Sequence, residues 1–494
     1  MKQNTTFSTL TVVLLLFFCT IFLSARVVTN INDDGPGSLR QEIINAAPGA
    51  TITFAPATNG MTITLLTQIT IDKSITITGN GSSNTILSGG DSTRIIEITD
   101  GFAINFNGIE FTNRLSAING GALQLSAVIP LATNVTIVNC VFENNVAQGA
   151  MAIQGGGAIH NSGGAILDIQ NSSFTNNNAS VAAGSGGAIL NSSGSILFVT
   201  ANTSFSNNIS NRAGGAIEDN SGAGFATIIA DATFTNNITN TSPCNSGGIH
   251  ITGPGDMLVS NSTFTGNTAG NGGGGLWNGS GIMTLTNVTI DGNFAAGNGS
   301  ANGGGGLHNN GGTVEINTGT TITNNSATGT AGSGGGILNL LGGTINATGI
   351  TVTGNSAQRA GGGIEDNSVT GASGVLTLSN ITLNNNTVAN APGNGGGLHI
   401  TGPGAASIFG GTVNNNTAGN EGGGLWNGSG FMILNNLIID GNTASGNGSA
   451  NGGGGIFNNG GTLEIQTGTQ ATNNTADGTA GSGGRNSERS WRNH

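Results

Sequence analysis

The chain has 494 residues, 90 of them glycine, with no tyrosine and only 7% charged residues. Glycine at this level without a Gly-X-Y period excludes collagen, and alternating apolar runs such as Ala50-Thr51-Ile52-Thr53-Phe54 argue against a disordered linker. The net charge is −12, and between Leu115 and Gly484 the only basic residues are Arg212 and Arg359. That leaves nothing to neutralise phosphates, which excludes nucleic acid as a partner and electrostatic docking on anionic membranes.

Met1 to Ala25 read as a secretory signal. Lys2 supplies the positive start, Val12 to Leu23 the apolar core and Ser24-Ala25 the small-residue exit. The apolar run is short of the roughly 20 residues that a spanning helix needs. An uncleaved anchor is the alternative. Cys19 follows Phe17-Phe18 rather than small residues, which argues against a lipoprotein signal. The expected location is secreted or at the outer-membrane surface, with no membrane insertion once the signal is removed.

Residues 26–118 read as a cap and first irregular coils. Val27-Val28-Thr29 is a strand, and Asn32 to Gly37 are dense turn chemistry. Ser38 can N-cap a short helix from Leu39 to Ala46, with Gln41 at the capping-box position. Leu39, Ile43 and Ala46 or Ala47 share one face. A solenoid must cover its first open coil, and an amphipathic helix does so. Short alternating runs from Ala50 to Asn113, among them Ser74-Ile75-Thr76-Ile77, predict three or four less regular coils.

Residues 119–484 are an array. One motif reads glycines, an aliphatic, a variable residue, then usually Asn, as in Gly155-Gly156-Gly157-Ala158-Ile159-His160-Asn161. Its aliphatic recurs at steps of 27 to 34 residues, from Ile159 to Ile456. A second motif alternates with it: an apolar head, two polar or small residues, then Asn, as in Phe174-Thr175-Asn176-Asn177. It occurs twelve times, with heads from Phe142 to Ala471, and Asn holds the fourth place in all twelve. A period in this range means a solenoid. No unit has ten residues of helical periodicity, so the chain buries its apolar residues only by winding as stacked strands, a parallel β-helix. The heads should form an internal column with coils about 4.8 Å apart. The fourth-place Asn should sit at a turn, tolerating left-handed geometry and bonding its own backbone.

A longer repeat overlies the short one. Glu218-Asp219-Asn220 returns as Glu365-Asp366-Asn367, and Leu276-Trp277-Asn278 returns as Leu425-Trp426-Asn427, at offsets of 147 to 149 residues. Duplication of a five-coil block accounts for this. The match breaks at Gly484, and residues 485–494 turn basic, which predicts a truncated or frame-shifted end. Cys140 shares parity with Phe142 and should face inward, whereas Cys244 follows Thr241-Ser242-Pro243 in a loop. They stand several coils apart, beyond the roughly 7 Å reach of a disulfide, and are expected to be free thiols.

The paired motifs, for instance Gly187-Ala188-Ile189 with Phe205-Ser206-Asn207-Asn208, resemble the repeats of chlamydial polymorphic outer-membrane proteins. Val27 to Asn30 with Gly35-Pro36-Gly37-Ser38-Leu39-Arg40 is similar to the opening of many bacterial secreted β-helix proteins. The repeat resemblance covers about three quarters of the chain. It implies a surface-exposed passenger implicated in adhesion, ahead of a C-terminal β-barrel. This chain departs from that pattern in lacking barrel-like C-terminal strands and in being poor in cysteine. With the usual crossover rule, the resemblance implies a right-handed parallel β-helix.

Parallel β-helices also include pectin-degrading enzymes, which need clustered carboxylates with Arg or Lys beside them. The candidate clusters are Arg212 with Glu218 and Asp219, and their copy, Arg359 with Glu365 and Asp366. A site built twice in one rod points instead to duplicated structure. No glycine nonapeptide of the calcium-binding kind occurs, so no metal or cofactor is assigned. The variable residue of the first motif is His160, Leu190, Glu218, His250, Trp277, His308, Leu338, Glu365, His399, Trp426 and Phe457 in turn. Alternation sends it away from the buried aliphatic, so these residues should form an outward column. His160, His250, Trp277, His308, His399, Trp426 and Phe457 are therefore a candidate recognition strip for a host or neighbouring-cell glycan or protein. The alternative is ordinary filling of a strand face, covered by a loop. The combined reading is a non-catalytic secreted or cell-surface β-helix adhesin, with a polysaccharide lyase or glycoside hydrolase as its rival.

Overall fold

The computed structural model of the chain describes residues 25–99, 101–116, 118–126, 133–151, 153–180, 183–192, 194–240, 244–367, 374–389, 392–481, 483 and 486–488. The signal expected over residues 1–25, save Ala25, lies outside them, as does Trp491 in the basic tail. The backbone of Asn486–Glu488 still runs parallel to Ile456–Asn458.

The chain winds as an all-β parallel solenoid of about 14 turns. One coil illustrates the rest. The strand Ile189–Ser192 follows the glycine turn, and after a polar corner comes the longer strand Ile196–Thr200. The short strand Ser204–Ser206 and the two-residue strand Ile209–Ser210 complete the turn before Ile217–Asn220 begins the next coil. The strands after the glycine turns stack into one 15-stranded sheet, and the others join a 39-stranded sheet around the remaining circumference. Pairing is parallel and in register: Ile159 lies against Ile189, Ile189 against Ile217, and Ile217 against Ile249.

The N-terminal end follows the capping logic. The helix Leu39–Asn45 starts at Ser38, whose side chain accepts from the Gln41 amide at 3.2 Å, and it buries Leu39 and Ile43. The preceding strand is Arg26–Val28, one residue earlier than the alternation suggested.

Period-two alternation sends the apolar heads inward, and every head from Phe142 to Ile439 is buried. Ala471, near the open end, is only partly covered. The first five heads are phenylalanines whose rings stack on Phe111 and on one another. From Phe142 to Phe264 the centroids are 4.6 to 4.8 Å apart, which is the coil repeat itself. Cys140 belongs to this core, and burial pushes its thiol up to about 12. Cys244 is buried at the loop, and both cysteines are free.

The glycine turn needs its two glycines for different reasons. Gly214 has φ 59°, a left-handed value that costs glycine nothing. Gly215 needs space: a Cβ there would sit 2.2 Å from the Gly247 carbonyl of the next coil.

The second motif behaves differently from expectation. Its third place, not its fourth, takes the left-handed corner: Asn144, Asn176, Asn207 and Asn236 all have φ near 55°, and Gly266 replaces asparagine in the next coil. The fourth-place asparagines are buried and form a ladder. Each donates from Nδ2 to Oδ1 of its counterpart one coil on, at 2.9 to 3.0 Å, without a break from Asn145 to Asn474. Each also closes onto backbone. Asn267 Nδ2 donates to the Phe234 carbonyl at 3.0 Å, and Asn267 Oδ1 accepts from the Asn237 backbone N–H at 3.0 Å. An interior side chain of this kind makes four bonds and leaves no buried polar atom stranded.

Two outcomes test this packing. Phe234→Asp places an unpaired charge inside the ring stack and should cost several kcal/mol, whereas Thr235→Asp, facing outward, should change stability by less than about 0.5 kcal/mol. Equal thermal melting of the two variants would refute the inward assignment. Asn267→Ala breaks the ladder and should cost about 1–3 kcal/mol for each group it strands. Chemical denaturation and limited proteolysis around residues 234–293 would reveal a neutral change instead.

Candidate functional site

The variable residues of the first motif do form one column. The register runs from Gln124 to His160, Leu190, Glu218, His250, Trp277 and His308, and then through Leu338, Glu365, His399 and Trp426 to Phe457. They lie on the side of the sheet away from the core, as alternation requires. They are not displayed to solvent, however, and the expected exposed strip needs correction. His160, His250, His308, His399, Trp426 and Phe457 are all buried, and only Trp277 is half-buried. At Trp277 and His308 the glycine segment before the strand lies against the column ring. The Gly303 carbonyl lies 3.3 Å from His308 Nδ1, and a Cβ on Gly272 would strike the rings of both Trp277 and His308.

Within the column two matching clusters appear. Arg212 Nη1 lies 3.2 Å from Glu218 Oε1, and His250 Nδ1 lies 2.8 Å from Oε2 at an angle poor for a hydrogen bond. The Thr252 hydroxyl donates to Glu218 Oε1. In the copy, Arg359 Nη2 is 2.7 Å from Glu365 Oε1, His399 Nδ1 is 2.8 Å from Oε2, and Thr401 replaces Thr252. Burial pushes each glutamate up. The facing imidazole, with the guanidinium and the hydroxyl hydrogen bond, outweighs that and holds both below the ordinary carboxylate range. These glutamates are buried anions fixed by their partners.

Asp219 and Asp366 do not join the clusters, although they are the next residues in sequence. Adjacent strand residues face opposite sides. Asp219 turns inward and accepts from Asn191 Nδ2 at 3.0 Å, from Thr227 Oγ1 at 2.6 Å and from the Ser221 amide at 3.0 Å. Burial raises its carboxyl above the usual value against these bonds. Asn161 donates to Asn191 and Asn191 to Asp219, so the aspartate ends a second amide ladder. Asn278, Asn309, Asn339 and Asp366 repeat it. The residues one coil further are Ile251 and Ile400, which have no acceptor to offer. A ladder that meets an isoleucine has to end on a side chain without a donor, and aspartate is one.

The rings of the column stack. Trp277 lies 5.5 Å from His250 and 3.6 Å from His308, and Trp426 lies 4.1 Å from His399 and 6.4 Å from Phe457. Trp426 Nε1 donates to Glu421 at 3.0 Å. Gly272 holds the corresponding place beside Trp277. At the other end of the array, His160 bridges Gln124 and Ser192 at 3.0 Å each. Gln124, Thr252, Thr401 and Glu421 were not among the residues expected from sequence. Thr252 and Thr401 could have been found, since each follows a column histidine by two residues and so shares its face. Among the described residues no group of three or more His, Cys, Asp or Glu side chains converges on a metal position. A shallow depression of about 320 Å³ near Ser82, Asn139, Asn171 and Asn202 has no acidic, basic or imidazole side chain in its wall.

Burial sets the acid response of the column. It is the main cause holding His308 down to about 3 and His160 down to about 4. Both stay neutral in the fold while the unfolded chain takes up protons below about 6.5. Their contribution is therefore complete above that value and is lost as pH falls toward the folded values, at up to about 1.4 kcal/mol per pH unit for each proton. Phe457 fills the place of His308 in the duplicate block. His308→Phe should accordingly lose less stability than the parent between pH 7 and pH 4, and identical pH–stability curves would show that His308 does not titrate as described.

No protein-family model matches the chain, and no curated protein matches it. Among solved structures, it is similar to the catalytic domain of a GH87 alpha-1,3-glucanase in complex with nigerose. That match has 11% identity, 91% coverage of this chain, 69% coverage of the other and a TM-score of 0.35. A variant of a GH87 alpha-1,3-glucanase catalytic domain in complex with tetrasaccharides gives 13%, 91%, 69% and 0.37. The ORF18 protein of Geobacillus virus E2 gives 11%, 74%, 61% and 0.26. Likenesses at this level carry no residue role across to this chain.

Proposed function

We propose that this chain is a non-catalytic extracellular β-solenoid that works by surface recognition. One observation carries the reading. Glu218 and Glu365, the acidic members of the duplicated clusters, are at most 1% exposed, with arginine and threonine on Oε1 and a histidine nitrogen 2.8 Å from Oε2. A glycosidase needs two carboxyl groups facing the same bond, one of them free to give up a proton. Here the neighbouring aspartates point to the other side of the sheet. What faces outward is mostly the uncharged surface of long sheets, a setting for binding rather than proton transfer. The secretory signal expected at residues 1–25 and the resemblance to surface passengers support an extracellular place, with a glycan or protein of another cell as partner.

Polysaccharide cleavage is the second reading, and one observation favours it. Trp277 is half-buried and stacks on His250, which touches Glu218, so an aromatic ring lies close to a carboxylate. The two readings separate in one assay. The full chain should release no reducing sugar or unsaturated product from polyuronates, α-glucans or β-glucans, with or without calcium. Release that disappears in the Glu218→Gln/Glu365→Gln variant would overturn the non-catalytic reading.

A further inference from the structure

We infer that the outward face of the short strand is an ice-binding surface. The short strand repeats hydroxyl–apolar–hydroxyl: Ser173-Phe174-Thr175, Ser204-Phe205-Ser206, Thr233-Phe234-Thr235 and Thr263-Phe264-Thr265. The phenylalanine enters the core, so both hydroxyl residues face out. The register places Ser204 on Ser173, Thr233 on Ser204 and Thr263 on Thr233, and the second column follows in step. From Ser173 to Thr412 the first column holds only serine and threonine. The second runs from Thr175 to Thr353 with one interruption, at Asp291.

The ring stack beneath reports the geometry of this face. From Phe142 to Phe264 the rings repeat every 4.6 to 4.8 Å, with planes within 9° of parallel. The rings repeat in step with the coils, so the hydroxyls of each column follow one another at the same spacing. Along the strand the two columns are separated by two residues, about 6.7 Å. The face is a grid of hydroxyls and methyls with two regular repeats, both close to the oxygen spacings on faces of hexagonal ice. Threonine suits such a grid because its branched Cβ restricts χ1, so the side chains are ordered before binding. Thr233 is exposed, and the other hydroxyl residues of the two columns are half-buried.

Strand propensity does not explain the uniformity. The longer strand of the same sheet offers the same backbone to solvent, yet its outward places hold Ile166, Asp168 and Gln170 in one coil and Phe198 in the next. Charge points the same way. Between Ser173 and Thr412 the two columns contain one charged residue, Asp291, which accepts from Thr323 at 2.6 Å and Asn324 at 2.9 Å. A protein partner is met by aromatic and arginine anchors, which these columns lack. An uncharged partner with its own lattice fits them. This assignment is independent of the surface-recognition reading.

The test uses the full chain carrying a fluorescent label. It should be taken into a growing ice hemisphere and should slow recrystallisation of a frozen thin film. Thr235→Lys/Thr265→Lys puts two long cations on the grid and should lose both effects while keeping the parent melting curve. Thr284→Lys, on the longer strand, should keep both. Exclusion of the unmodified chain from ice would overturn the proposal, as would equal adsorption of the double variant. Retention on microcrystalline cellulose without adsorption to ice would assign the grid to a polysaccharide instead.

Discussion

The structure depends on exact vertical repetition of polar side chains inside the coil. A solenoid buries not only apolar residues but also the corners where its backbone changes direction, and those corners carry peptide groups that no strand partner reaches. The ladder from Asn145 to Asn474 meets this need: each amide satisfies a backbone carbonyl, a backbone N–H and its neighbouring rungs. A missing rung leaves groups unpaired in two coils at once. Among the described residues the cost is visible at the first rung, where Asn145 Oδ1 has no partner. This explains why asparagine holds the fourth place in every copy while the apolar head two bonds' reach away varies among Phe, Ile, Val, Leu and Ala. Core filling tolerates a change of shape, but an amide that gives and accepts in both directions has no isosteric substitute.

The winding of the chain was legible from sequence because two periods were superimposed: the repeat of coils and the alternation within strands. Parity alone correctly sent Phe234 inward and His250 to the other side of its sheet. Three matters were not legible, each for a physical reason. Asparagine serves equally well at a left-handed corner and in an amide ladder, so Asn236 and Asn237 look alike in sequence although one bends the chain and the other bonds the coils. Alternation fixes the side to which Trp426 points but not whether a glycine segment lies over it. Glu218 and Asp219 read as one cluster because they are adjacent, yet adjacency in a strand is what separates them.

The two charged clusters show what duplication does to chemistry in a rod. Arg212, Glu218, His250 and Thr252 recur as Arg359, Glu365, His399 and Thr401, with the same 2.8 Å from histidine to glutamate and with arginine at 3.2 Å in one copy and 2.7 Å in the other. Beyond them the copies diverge: His308 becomes Phe457, and Gly272 becomes Glu421. The parts retained include every group whose loss would leave a buried charge alone, since removing one partner of a buried pair strands the other. The parts that changed are rings and caps around them, which can be exchanged by shape.

Seen along its axis, the molecule separates its demands by direction. Inward positions answer to packing and to the ladder. Positions beneath the glycine segments answer to enclosure, which is why charge is tolerated there only as a neutralised set such as Arg359, Glu365 and His399. The outward faces answer to neither, so their composition is free to drift, and on the longer strand it has: isoleucine, aspartate, glutamine and phenylalanine stand in neighbouring positions. The short strand has the same freedom and has not used it. Its first hydroxyl column runs unbroken over coils whose cores switch from Phe264 to Ile290 and then to Val352, and the second is interrupted once, at Asp291. Packing beneath therefore does not dictate the surface above, and the constancy of that surface has to come from something outside the fold.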